Sequence, residues 1–195
     1  MSDTPLRVAI IIGSTRAGRF GTRVAKWFAE QARKRPDMAV EVVDPALRPL
    51  PVVLDAPASG PAEADALEQT RRTLDAADAF VIVTPEYNHS FPAALKNLID
   101  LHSTEWQAKP VAFVSYGGLS GGLRAVEHLR QVFAELHAVT IRDTVSFHNP
   151  WEEFDAGGHH TNPTACNAAA KVLLDRLAWW AHALRDAKAK RPYAA

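Results

Sequence analysis

Phe80–Leu101 reads FVIVTPEYNHSFPAALKNLIDL, and this stretch decides the fold. Phe80–Val83 is apolar at every position, the pattern of a strand covered on both faces. Pro85-Glu86-Tyr87-Asn88 then turns the chain sharply at the strand's carboxyl end. Ser90 is placed to cap the helix that follows, and Pro92 falls where a first helical turn tolerates proline. In open α/β sheets, ligands lie just outside the carboxyl ends of strands, so this loop is a candidate binding site. Proline and tyrosine offer flat apolar surface, and backbone donors and acceptors can read a ring edge. A flat ring system with polar edges suits it.

Val8–Ile12 and Val111–Val114 are apolar throughout in the same way, and Val40–Val43 and Val139–Val145 supply two further strand candidates. Helical patterns lie between them. Val24 and Phe28 share one face of a helix running from about Thr22 to Arg35. Val126, Leu129, Phe133 and Leu136 recur at helical spacing after Gly122, as do Ala169, Leu173, Leu177, Trp180 and Leu184 near the carboxyl end. Strand and helix alternate. This predicts an α/β fold, a flavodoxin-like doubly wound five-stranded parallel sheet with helices on both faces, in one domain spanning residues 1–195. Pro45–Pro61 and Ser146–Pro163 lack periodicity and are expected to be irregular excursions.

Gly13-Ser14-Thr15-Arg16-Ala17-Gly18-Arg19-Phe20-Gly21-Thr22 joins the first strand to its helix. Glycines allow close approach, hydroxyls and helix-start N–H groups donate, and Arg16 and Arg19 can neutralise charge. That is the makeup of a phosphate site. Thr15 stands where G-x-G-x-x-G needs glycine, and Gly21-Thr22 lacks the lysine of a Walker loop. A terminal monophosphate suits the loop better than a pyrophosphate or triphosphate. The plain alternative is a strand-to-helix turn with solvated arginines.

Ser115-Tyr116-Gly117-Gly118-Leu119-Ser120-Gly121-Gly122 follows the fourth strand. Its glycines permit positive φ and close ligand approach. Gly118–Gly122 also matches G-x-S-x-G, the nucleophile elbow of hydrolases, and Asp143 or Asp155 with His159 or His160 would complete a Ser-Asp-His order. Against this, Ser120 stands beyond the strand's end, no upstream glycine-rich oxyanion motif is present, and the arginine-bearing first loop would be left unexplained. A serine hydrolase using Ser120 is the lower-ranked alternative.

The 22 Lys+Arg balance 22 Asp+Glu, which argues against global attraction to nucleic acid or an anionic membrane. The one cysteine, Cys166, excludes an internal disulfide and suits a reducing compartment. Opening an Ala-rich helix, it reads as a packed small hydrophobe. No secretory signal and no run of ~20 apolar residues is evident, so the expected location is cytoplasmic.

Together, GSTRAGR at Gly13–Arg19, PEYNHSFPAALKNLID at Pro85–Asp100 and the Gly-Gly-x-x-Gly-Gly-x-Arg run at Gly117–Arg124 resemble the NADPH-dependent FMN reductase family. That family also includes quinone, chromate and azo reductases, and the resemblance covers about Arg7 to His137. It implies a flavodoxin-like fold that binds FMN noncovalently, with NADPH or NADH as reductant. By resemblance, Ser14, Arg16, Phe20, Gly21 and Thr22 hold the FMN phosphate. Pro85, Glu86, Tyr87 and Asn88 lie along the isoalloxazine, and Ser115, Tyr116, Gly117 and Gly118 meet its other edge. Where the family's first loop often ends in serine and asparagine, this chain has Gly21-Thr22. The resemblance implies a homodimer or homotetramer and a small-molecule electron acceptor: free flavin, quinone, azo compound, metal oxyanion or oxygen. The chemistry belongs mostly to the cofactor, so no catalytic side chain is assigned. A flavin-binding electron carrier without pyridine-nucleotide turnover is the alternative, and carriers of that kind are commonly acidic on the docking face.

His148, His159 and His160 are too loosely spaced to read as a metal site, and none is assigned. Trp151 and Phe154 could line an acceptor pocket or seal a subunit contact.

Overall fold

Every residue of Ala79–Pro85 is buried, as its unbroken apolar run requires, and this strand forms the centre of the sheet. The computed structural model describes residues 4–48, 50–54 and 58–194. In chain order these form β1 (Leu6–Ile12), α1 (Gly21–Arg33), β2 (Met38–Val43), α2 (Pro61–Ala76), β3 (Ala79–Pro85), α3 (Ala93–Asp100), β4 (Pro110–Gly117), α4 (Leu123–Glu135), β5 (Val139–His148) and α5 (Pro163–Lys190). Short 3-10 turns occupy Thr104–Trp106 and Pro150–Glu152. The sheet has five strands in the order β2-β1-β3-β4-β5, all parallel, which is the expected doubly wound, flavodoxin-like arrangement.

Strand residues divide between two cores by the two-residue alternation of a pleated sheet. Val8, Ile10, Ile12, Val81 and Val83 pack with α1 and α5, while Ala9, Ile11, Phe80 and Ile82 pack with α2, α3 and α4. The chain runs outward from β1 to β2 and returns past β1 to β3, so strand order reverses between β1 and β3. That reversal opens a crevice at their carboxyl ends.

At the opposite end of the sheet, Lys109 is buried. Its Nζ donates to the carbonyls of Leu74 (2.9 Å) and Asp75 (2.7 Å), satisfying the carboxyl end of α2. Burial, and then the like charge of Lys188, lower its pKa from 10.5 to about 8.

Several local expectations are corrected. Ser90 does not cap α3: the helix begins at Ala93 with Pro92 as its cap, and Ser90 Oγ lies 3.0 Å from His128 Nδ1 instead. In α5 the buried side is Ala170, Leu173, Leu174, Leu177, Ala178 and Ala181, which leaves Ala169 and Trp180 outside the core. Ser146–His148 is regular strand rather than the start of an irregular loop, because it continues the β4 pairing through Gly117.

Candidate functional site

The loops after β1, β3 and β4 leave the sheet at one level. The Gly13 N–H donates to Val83 O (2.8 Å), extending the β1–β3 ladder one step past β1, and Thr84 and Pro85 pair with Ser115 and Tyr116. Side chains then tie the loops together. Ser14 is fully buried, and its Oγ lies 2.7 Å from the Tyr87 phenolic oxygen, joining the first loop to the third.

In the first loop, the N–H groups of Thr15, Ala17 and Gly18 meet no hydrogen-bond acceptor among the described residues. Arg16 is exposed and has no ion-pair partner among the described residues. Arg19, by its sequence position a second free cation, is instead paired with Asp44 at 2.5 Å. Its Nε is buried without a partner among the described residues. Phe20 caps α1 and packs edge-on against Phe154, and Thr22 is exposed with Oγ1 3.4 Å from Arg19 O.

Tyr116 reaches beneath this loop. A Cβ added at Gly21 would lie 2.5 Å from its phenolic oxygen, so glycine is required there. Burial raises the Tyr116 pKa, and the nearby Tyr87 raises it further, against a hydrogen bond from the Gly21 N–H. Tyr116 is therefore a neutral phenol supporting the start of α1.

Tyr87 and Ser90 exchange both backbone hydrogen bonds (2.8 and 3.1 Å), closing a tight turn in which Asn88 and His89 have φ of 49° and 73°. Asn88 sits exposed at its tip. Pro85 is buried as the last residue of β3. The Glu86 carboxylate is engaged from the glycine loop and α4. It accepts hydrogen bonds from Ser120 Oγ (2.5 Å), Arg124 Nε (2.5 Å) and the Arg124 N–H (3.2 Å). Burial alone would raise its pKa, but Ser120 and Arg124 together hold it below the usual carboxylate range. Arg124, at the start of α4, is the partner that sequence reading left without a role, although its place in the Gly117–Arg124 run was visible.

Ser115 is also fully buried and donates to Gly121 O (2.8 Å). Gly122 has φ of 85°, and a Cβ there would press on Ser115 and the Tyr116 backbone. The Asn149 N–H donates to Gly117 O (2.8 Å), which sets the 3-10 turn beside the glycine loop and brings Trp151, 57% exposed, next to Gly118. Phe154 is buried among Phe20, Trp27 and Phe147, so it packs in the core.

No Ser-His-Asp arrangement forms among the described residues. Ser120 donates to the Glu86 carboxylate, His159 pairs with Asp155 and His160 with Glu153, so the elbow serine has no histidine partner among the described residues. No group of His, Cys, Asp or Glu among the described residues could hold a metal ion, and no helix is long and apolar enough to cross a membrane. Burial raises the Cys166 pKa, which disfavours its thiolate.

The family model for NADPH-dependent FMN reductase matches residues 6–152. The chain is 34% identical over 183 residues to a probable NADPH:quinone oxidoreductase 2 of Oryza sativa subsp. japonica, covering 89% of this chain and 88% of that protein. It is 33% identical over 177 residues to an NADPH:quinone oxidoreductase of Arabidopsis thaliana, covering 87% and 89%. Among solved structures, its fold is similar to FerB, a flavoenzyme NAD(P)H:(acceptor) oxidoreductase from Paracoccus denitrificans. That likeness has a TM-score of 0.71 at 24% identity and covers 91% of this chain and 97% of the other.

Proposed function

This chain belongs to the NADPH-dependent FMN reductase family, and on that premise we propose that it passes electrons from NADPH or NADH through bound FMN to a small acceptor, with quinones as the leading class. It is an oxidoreductase, and bound FMN supplies the two-electron chemistry.

The residues present fit that group. The observation that carries the reading is the crevice between β1 and β3, where unpaired N–H groups and the free Arg16 cation gather at the start of α1. These suit a terminal phosphate, with the α1 dipole adding to the attraction. Ser14, Phe20, Gly21 and Thr22 shape this cradle. Pro85, Tyr87 and Asn88 border the ring on one side, and the backbone at Gly117 and Gly118 borders it on the other. Glu86, Ser115 and Tyr116 hold these loops in place from behind, through Arg124, Gly121 and Gly21. Trp151 stands where a planar acceptor could stack beside Gly118. The even balance of 22 basic and 22 acidic residues disfavours a dedicated electron carrier. We further assign the protein to the cytoplasm as a homodimer or homotetramer.

The test is anaerobic. Protein loaded with FMN and freed of excess is mixed with NADPH, and the visible absorbance of the flavin is followed. Rapid bleaching that a quinone reverses supports the reading. Flavin that stays bound and unbleached with both NADPH and NADH would identify a carrier, and failure to retain flavin would remove the phosphate cradle.

A further inference from the structure

The three loops that meet at the crevice, residues 13–22, 84–91 and 115–122, carry a single acidic side chain, that of Glu86. It is set against the border assigned to the ring. Its N–H donates to Tyr116 O (3.3 Å), and its Cβ lies 3.8 Å from the place a Cβ at Gly117 would take. The side chain is only 6% exposed. Burial opposes ionisation of a carboxyl group, yet Ser120 and Arg124 hold this one below the usual range, so it is a carboxylate at neutral pH.

That carboxylate has a mechanical use. Gly122 begins α4 and has no side chain to cap it, so the Arg124 N–H in the first turn needs an acceptor from elsewhere. Glu86 supplies it from 38 residues away, at 3.2 Å, while also accepting from Ser120 Oγ at 2.5 Å. The positive end of the α4 dipole favours a carboxylate there. The consequence is a negative charge beside a ring that itself becomes more negative on reduction. The Arg124 guanidinium answers that charge. Its Nε and Nη2 both lie 2.5 Å from Glu86 Oε1, and its Nη1 meets His89 Nε2 in the same turn.

We propose that Arg124 is a positioning residue for the redox step: it cancels the Glu86 charge beside the flavin, so that reduction of the ring is not opposed. Its effect on the ring passes through Glu86. In a partly buried setting an uncompensated charge is felt across several ångströms, which is why the pairing matters to the flavin and not only to the loops. The proposal rests on the FMN reading above and names a residue pair that sets the flavin's potential in that site.

The test is the flavin midpoint potential of the FMN-loaded protein at about pH 8, well above the carboxylate range. Binding of oxidised FMN is measured alongside by fluorescence quenching. Arg124→Gln keeps side-chain donors and removes the charge. It lowers the potential, weakening reduced FMN relative to oxidised FMN roughly tenfold or more. Arg124→Lys, which keeps the charge, stays near the wild-type potential. Glu86→Gln leaves Arg124 unopposed and raises the potential. The double variant Arg124→Gln/Glu86→Gln returns to near the wild-type value, which loss of a merely structural clasp would not do. An unchanged potential in Arg124→Gln, or a double variant as low as Arg124→Gln alone, would overturn the proposal. If Arg124→Gln fails to fold, Glu86→Gln decides by itself, and a potential at or below the wild-type value overturns the proposal. A wild type that retains no flavin would overturn the FMN reading and the proposal with it.

Discussion

The Ser14 hydroxyl and the Tyr87 phenol lie 2.7 Å apart, and this one contact joins the loops on either side of the point where strand order reverses. Ser14 has no access to water, so its hydroxyl depends on Tyr87 and on a long 3.4 Å contact from the Arg16 N–H. Tyr87→Phe should therefore cost about 0.5–1.5 kcal/mol of stability in the flavin-free protein. The urea midpoint should fall at constant slope. An unchanged midpoint would mean that the pair does not form in solution.

Arg16 and Arg19 belong to the same loop but differ in availability, since Asp44 already neutralises Arg19. Arg16→Ala should weaken FMN binding by about 1.5–3 kcal/mol, the range for hydrogen bonds to charged groups. Riboflavin, which lacks the phosphate, should bind the variant and the wild type equally. Quenching of flavin fluorescence measures both, and an FMN dissociation constant that does not move would remove Arg16 from the cradle.

Gly21→Ala would place a methyl 2.5 Å from the Tyr116 phenolic oxygen but 3.3 Å from the ring carbon bearing it. Overpacking of this kind costs about 1–3 kcal/mol. Tyr116→Phe removes the offending oxygen, so the double variant should lose less than the sum of the two single losses. Strict additivity in thermal or urea unfolding would show that the two residues do not touch.

Lys109 makes stability depend on pH. Its folded pKa of about 8 lies below the ordinary 10.5, so between these values the unfolded chain holds more protons than the folded one. Stability contributed at this position therefore rises with pH across that window, and the cost of burying the charge is felt in full below pH 8. The difference in unfolding free energy between wild type and Lys109→Met should grow by roughly 3 kcal/mol from pH 8 to 10.5. A difference flat in pH would mean that the ammonium is solvated rather than held by Leu74 O and Asp75 O.

The central strands were legible because burial on both faces leaves no polar position: Phe80–Val83 and Val111–Val114 could be little else. The α2 helix was harder to see, since only Ala66, Thr70 and Leu74 of its residues are buried and its pattern is correspondingly faint. In α5 the spacing predicts an apolar face through Ala169 and Trp180, yet the buried side lies one residue away at Ala170. Trp179 and Trp180 look like core residues in a string of letters, and only packing shows which side of the helix meets the sheet.

The sequence by itself determined the layering, the strand-to-helix loops and the family, because these depend on local periodicity and on short motifs whose spacing survives in one dimension. The tertiary structure decided which partners the side chains in those motifs find. Glu86, a ring contact by its motif, spends its carboxylate on Ser120 and Arg124, and Tyr116 turns beneath Gly21. Arg19 is neutralised by Asp44 at the end of another strand. Each of these outcomes depends on a partner 25 or more residues away in sequence. A buried polar group must find its partner wherever the fold brings one, and no local pattern records where that will be.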